Sequence, residues 1–241
     1  MNWFYYAAPQ HFDHLAKRLI PVFTVLATVL AAYGLYLGLF VAPTDATQGE
    51  VYRIIFIHVP AAWLSMFIYL VMGLYAALLF IFNTRLSGIM IRALAPTGAL
   101  MTFIALWTGA LWGKPTWGSY WVWDARMTSE LLLLFLYVGV MVLYQSQTEP
   151  GRGDKMAAVL CLVGVLNVPI IYFSVRWWNT LHQGASVGIG KSSMDPVMLR
   201  AMLIMSLAAW AYVLAVVLTR ARVLIIEREQ HRHWLLQRGG E

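Results

Sequence analysis

Six apolar segments, each about long enough to cross a bilayer, constrain this chain more than any other feature. A hydrocarbon core of about 30 Å takes roughly 20 helical residues to span, and runs of that order lie near residues 20–41, 54–82, 93–112, 128–145, 156–175 and 197–219. The expected fold class is an all-α integral membrane protein, a six-transmembrane helix bundle forming one polytopic domain over 1–241. Composition agrees, because 61% of residues are hydrophobic and 12% charged. That charged fraction is about half the ~25% of a soluble domain, too little to cover a water-exposed globule. The second segment is long enough to predict tilt or an interfacial first turn. Pro60 should loosen its start, and Pro169 should do the same in the fifth segment.

Charge placement sets the expected orientation. Lys17, Arg18, Arg85, Arg92, Arg152, Lys155, Arg220, Arg222, Arg228, Arg232 and Arg238 fall on one side, against Arg53, Lys114, Arg126, Arg176, Lys191 and Arg200 on the other. The richer side is cytoplasmic by the positive-inside rule, which puts both termini there and sends the loops 42–53, 113–127 and 176–196 outward. The basic tail 220–241 reads as a solvated helix end or as a surface for anionic headgroups or a cytoplasmic partner. A net charge of +6 spread in this way, with no basic run or nucleic-acid motif, excludes a nucleic-acid partner. Cys161 stands alone, which leaves no intrachain disulfide and no C-x-x-C-H attachment of haem. The N-terminus lacks the apolar core and cleavage site of a signal peptide, so the first span is expected to do the targeting. No phosphate-binding loop, zinc-protease or serine-hydrolase motif is present.

The outer loop between spans three and four is the chemical focus. Trp117-Gly118-Ser119-Tyr120-Trp121-Val122-Trp123-Asp124-Ala125-Arg126 packs three tryptophans, a tyrosine, an acid and a base into ten residues, with Trp107 and Trp112 upstream. An aromatic belt would distribute tryptophan between both membrane surfaces. Here Trp63, Trp107, Trp112, Trp117, Trp121, Trp123, Trp177 and Trp178 map to the outer end, and only Trp3 and Trp234 to the other. Such a shelf suits a flat apolar ligand with a charged edge, and haem fits that description. If the loop is helical, Trp117, Trp121 and Asp124 share a face; if extended, Trp121 and Trp123 do. Gly113 and Gly118 permit close approach, and Asp124 has an alternative role as N-cap of the fourth helix.

Histidine placement adds a second line. His11, His14, His231 and His233 lie in the tails, whereas His58 lies about 7 Å into the second span from Arg53 at 1.5 Å per residue. An ionisable group there faces a cavity or the bundle interior. His182 lies in the third outer loop, so both histidines reach the layer of the Trp-rich loop. Neutral imidazoles are good iron ligands, and a pair from opposite faces would make haem iron six-coordinate. Arg53, Arg126 and Arg176 are the guanidinium groups available for the propionates; each also serves as an interfacial anchor, and spacing does not choose among them. Glu130 is placed to pair with Arg126 four residues earlier.

Trp117-Gly118-x-x-Trp121-x-Trp123-Asp124-x-Arg126-Met127-Thr128 resembles the signature of the WWD family of haem-handling membrane proteins. Six spans and short loops place the likeness with the cytochrome c maturation branch. It extends through Tyr52-Arg53-Ile54-Ile55-Phe56-Ile57-His58-Val59-Pro60 and Asn179-Thr180-Leu181-His182-Gln183, with Met127 where the family more often has Leu. The resemblance implies that His58 and His182 ligate haem b and that the Trp loop, with Trp112, presents it on the periplasmic face of the inner membrane. It further implies delivery to a periplasmic haem chaperone, in a complex with the ATPase and permease subunits of an ABC transporter and a small single-span accessory protein. It implies a delivery or export subunit without enzymatic activity of its own. Two other classes compete. A b-type electron-transfer cytochrome predicts histidine pairs within helices, where only His58 clearly lies in a span. A scaffold subunit of the transporter predicts no haem absorbance at all.

Overall fold

The computed structural model describes residues 5–178, 180–182, 187–188, 191–192, 194–231 and 234. Among these, six helical stretches are long and apolar enough to cross a membrane, as a six-helix membrane bundle requires. They are α1 (Pro9–Tyr36), α2 (Ile55–Phe82), α3 (Arg85–Trp117), α4 (Ala125–Gln145), the broken pair α5 (Pro150–Gly164) and α6 (Asn167–Trp177), and α7 (Pro196–Glu229). The third outer loop carries a two-residue antiparallel pairing, β1 (Val187–Gly188) with β2 (Lys191–Ser192).

α3, α4, the α5–α6 pair and α7 outrun the apolar segments that announced them, and α1 begins ahead of its own, because polar end turns continue the same backbone geometry beyond the hydrocarbon. α3 starts eight residues before position 93 and ends at Trp117, so the outer loop expected at 113–127 contracts to Gly118–Asp124. α7 likewise carries the expected tail 220–241 as helix as far as Glu229. The solvated-end reading of that tail is corrected for three of its arginines. Arg220, Arg222 and Arg228 turn inward, onto the Ala93 carbonyl, Asp13 and Asp154 respectively. Arg232 and Arg238 lie outside the described residues.

The interfacial first turn predicted for the second span is present as a 3-10 turn over Glu50–Ile54, ahead of α2. Pro60 sits one turn further on without ending the helix. Pro169 occupies the first turn of α6, just after the interruption at Val165 and Leu166. A proline costs least there, where its missing N–H has no intrahelical partner to lose.

α1 and α7 run antiparallel, with Asp13 bonded to Arg222 at one end and Gly34 against Met205 nearer the other. α3 is the most enclosed helix and α1 the least. α3 packs on α2, α4, α5 and α7, so it forms the axis of the bundle. Buried polar bonds tie the layers where lipid offers no alternative partner. Tyr137 donates to the Ser65 carbonyl at 2.6 Å, and Asn167 to the Ser129 carbonyl at 2.9 Å. Even spans bring the two helix termini, Pro9 and Glu229, to one end of the bundle. The Trp-rich loop, His58 and His182 collect at the other.

Candidate functional site

At that second end a cavity of about 280 Å³ opens among α2, α3, α4, α6 and the third outer loop. Its walls include His58, Trp63, Trp112, Trp117, Arg126 and His182, with Arg176 at the rim. The two histidines that the sequence singles out therefore share one aromatic-lined cleft.

His58 is held by α3. Its Nδ1 lies 3.0 Å from Thr108 Oγ1, and that hydroxyl spends its only proton on the Ile104 carbonyl at 2.6 Å. Thr108 must then accept, so Nδ1 carries the hydrogen and Nε2 keeps its lone pair. A metal-binding histidine is oriented in this way, with its second nitrogen donating to an oxygen. Gly109 makes the approach possible, since a Cβ there would lie 3.1 Å from His58 Cε1. Trp112 meets the imidazole edge-to-face at 5.7 Å and is fixed by donating Nε1–H to Gln48 Oε1 at 2.7 Å.

His182 is held by the Trp loop. Its ring lies 4.9 Å from that of Trp117, and its Nδ1 is 3.9 Å from Asp124 Oδ2. The other oxygen of Asp124 accepts from the Met127 amide at 2.8 Å, which makes Asp124 the N-cap of α4. One carboxylate thus starts a helix and faces a histidine, so the two roles open in the sequence are compatible. Burial pushes His182 down to about 4, with Arg126 acting in the same direction and Asp124 against it. The ring is neutral at pH 7. Above the ordinary value of about 6.5 the folded and unfolded chains hold the same neutral imidazole. As pH falls from about 6.5 towards 4, only the unfolded chain takes up the proton, and stability declines across that window. Histidine-selective NMR is expected to show His182 titrating near 4; a midpoint near the ordinary value of about 6.5 would contradict the burial argument.

Gly118 ends α3 with φ 80°, a left-handed cap that turns the chain sharply into the loop. Residues 118–124 are not helical, so the shared helical face of Trp117, Trp121 and Asp124 is not formed. Trp121 and Trp123 instead meet each other edge-to-face at 5.2 Å, and neither lines the cleft. Trp123 is 75% exposed.

The three candidate arginines separate. Arg126 lines the cleft and donates to the Ile171 carbonyl at 3.1 Å, and Arg176 lies at its edge. Arg53 does not reach it. Its guanidinium bonds Glu50, the Gly38 carbonyl and the Ala42 carbonyl, closing the π turn that ends α1 over Leu37–Val41. Glu130 accepts from Ser65 Oγ at 2.7 Å deep in the bundle rather than pairing with Arg126. Gln48, Thr108 and Gly109 were not among the expected site residues. Thr108 stands four before Trp112, on the same face of α3, which is the signal that points to it.

The donor set suits a flat metalloligand. Six buried side-chain polar atoms lack a partner among the described residues, and four of them, Trp121 Nε1, Asp124 Oδ2, Thr180 Oγ1 and His182 Nδ1, belong to the loops around this cleft. Such atoms are uncommon in native structures and call for an explanation. A ligand that draws His182 towards Asp124 supplies one.

Comparison with known proteins gives the chain its place. Residues 2–236 match the family model for heme exporter protein C. The heme exporter protein C of Bradyrhizobium diazoefficiens is 47% identical over 203 residues, 84% of this chain and 77% of the relative. That of Escherichia coli is 43% identical over 238 residues, 97% and 96% of the two chains. The Haemophilus influenzae protein is 40% identical over 231 residues, 95% and 94%. With identity of this order along nearly the whole length, the chain belongs to the heme exporter protein C family.

Proposed function

We propose that this protein binds haem b in the cleft and hands it on for c-type cytochrome maturation. His58 and His182 serve as axial ligands. Arg126 and Arg176 face the propionates, while Trp63, Trp112 and Trp117 form the apolar walls. The observation that carries this reading is the fixed tautomer of His58, whose Nε2 lone pair is left for iron by the Thr108 bond. Haem is the cargo, and its iron supplies the ligation on which retention depends.

The cleft also supports release. Its volume of about 280 Å³ falls just below the roughly 300–1,000 Å³ of ordinary ligand pockets, so a porphyrin seated there projects beyond it. One ligand sits on a rigid helix and the other on a loop, and movement of the third outer loop withdraws His182 without disturbing α2. The receiver in this reading is a periplasmic haem chaperone, with the site end facing the periplasm and both termini in the cytoplasm. The ATPase and permease subunits of an ABC transporter and a small single-span protein complete the assembly.

The test is haem transfer from the loaded protein to the purified soluble domain of the chaperone, followed by stopped-flow absorbance. Transfer is expected to slow at least about tenfold when a cross-link ties the third outer loop to the Trp loop. An unchanged rate would sink the hand-over mechanism.

Thr108→Val probes the orientation of His58. Loss of the oxygen that receives Nδ1–H is expected to weaken haem binding by about 10- to 100-fold, the usual cost of removing a ligand's supporting partner. Thr108→Ser should restore it. Equal affinity in all three proteins, measured by haem titration, would contradict the tautomer argument.

A further inference from the structure

α4 and α7 flank α3 without packing extensively on each other, and they leave a gap floored by α3 near the termini end. The gap is a cavity of about 260 Å³ with two characters. Ala95, Pro96, Val140 and Met141 form an apolar wall on the membrane side, and Val223 stands half exposed at the mouth. Arg92, Arg220 and Glu227 bring the charges.

Those charges do not cancel. Arg92 lies over the Tyr144 ring at 4.3 Å and stands 4.0 Å from Glu227. Among the described residues the hydrogen-bond acceptors of Arg220 are neutral, the Ala93 carbonyl at 3.0 Å and Thr97 Oγ1 at 2.8 Å, both reached by Nη1. Two guanidinium groups against one carboxylate leave a net +1. The level is also telling. Arg220 follows directly on the apolar run 197–219 and Arg92 directly precedes the run 93–112, so both lie where the hydrocarbon ends.

We propose that this gap binds one anionic phospholipid, with its phosphodiester on Arg220 and Arg92 and an acyl chain along the α3–α4 wall. A single negative headgroup matches the residual charge, and basic pockets between spans recognise such headgroups. The site is independent of the haem cleft at the opposite end of the bundle.

Native mass spectrometry of the detergent-purified full chain tests this with phosphatidylglycerol, phosphatidylcholine and soluble glycerol phosphate as probes. Wild type should retain one phosphatidylglycerol through a delipidating wash. Arg220→Gln should retain it at least about five-fold less well, the weight of one basic residue against an anionic surface, and Arg220→Lys should keep it. Val223→Trp, which blocks the mouth without changing charge, should also lose it. Arg152→Gln, an exposed base outside the gap, should behave as wild type. Retention as strong as wild type in either Arg220→Gln or Val223→Trp would overturn the proposal, as would phosphatidylcholine or glycerol phosphate binding as tightly as phosphatidylglycerol. A photo-crosslinker at position 223 that captures a protein span instead of lipid in native membranes would overturn it too.

Discussion

Replacing His58 by Ala is expected to lower haem affinity more than about 100-fold, above the 10- to 100-fold cost of losing a supporting partner. His58 is preorganised: it rides on α2, its tautomer is set by Thr108, and Trp112 fixes its plane. Little ordering remains to offset when iron binds. His182→Ala is expected to lose haem as well, but by a smaller factor. His182 lies in a loop, with its Nδ1 still 3.9 Å from Asp124, and in the proposed site ordering it would cost part of the energy that ligation returns. The two variants, purified from the same haem-replete cells, should therefore rank His58→Ala below His182→Ala in haem content, and neither should show the six-coordinate spectrum. Full retention of a six-coordinate spectrum in both would remove the axial assignment.

The largest expected effect on stability lies at the other end of the protein. Asp154 receives both terminal nitrogens of Arg228, at 2.7 and 2.8 Å, with Arg228 also donating to Tyr144. The two side chains are 8% and 16% exposed. Breaking a buried pair from one side leaves a charge with no counterion and costs about 3–5 kcal/mol. Asp154→Ala is expected to destabilise by that amount, seen as a lowered Tm in detergent. The joint replacement of Asp154 by Leu and Arg228 by Met should recover most of the loss, because it removes the stranded charge with its partner. Haem binding should be unaffected in the double variant, since the pair lies beyond the membrane from the cleft. A single variant as stable as wild type would show that water reaches Arg228 and that the pair is effectively a surface one.

Local physics made part of this protein legible. Hydropathy announces spans because each must satisfy its own backbone in lipid, which short-range pattern alone specifies. The Trp-rich stretch, His58 and His182 were visible as residue types out of place in such a chain. The misjudged positions share a different feature. Arg53, in sequence one of three arginines available for the propionates, holds the end of α1, and Arg220, Arg222 and Arg228, in a tail that reads as a solvated helix end or a surface for headgroups or a partner, bind inward. For the tail arginines the deciding partner lies far away in the chain, up to 209 residues for Arg222 and Asp13, and for Arg53 it lies 15 residues back at Gly38. A guanidinium at a span boundary looks the same in sequence whether it faces water, a ligand or a buried carboxylate.

The sequence by itself determined the class of molecule, its family and the two histidines with the Trp loop between them, because these rest on composition and on motifs read within a few residues. Tertiary structure alone decided which side chains meet. It placed Trp112 and Trp117 on the cleft and left Trp121 and Trp123 off it, chose Arg126 and Arg176 over Arg53, and joined His58 to Thr108 across fifty residues. Contacts of that kind depend on how helices rotate and cross, and rotation about a helix axis is set by packing against neighbours.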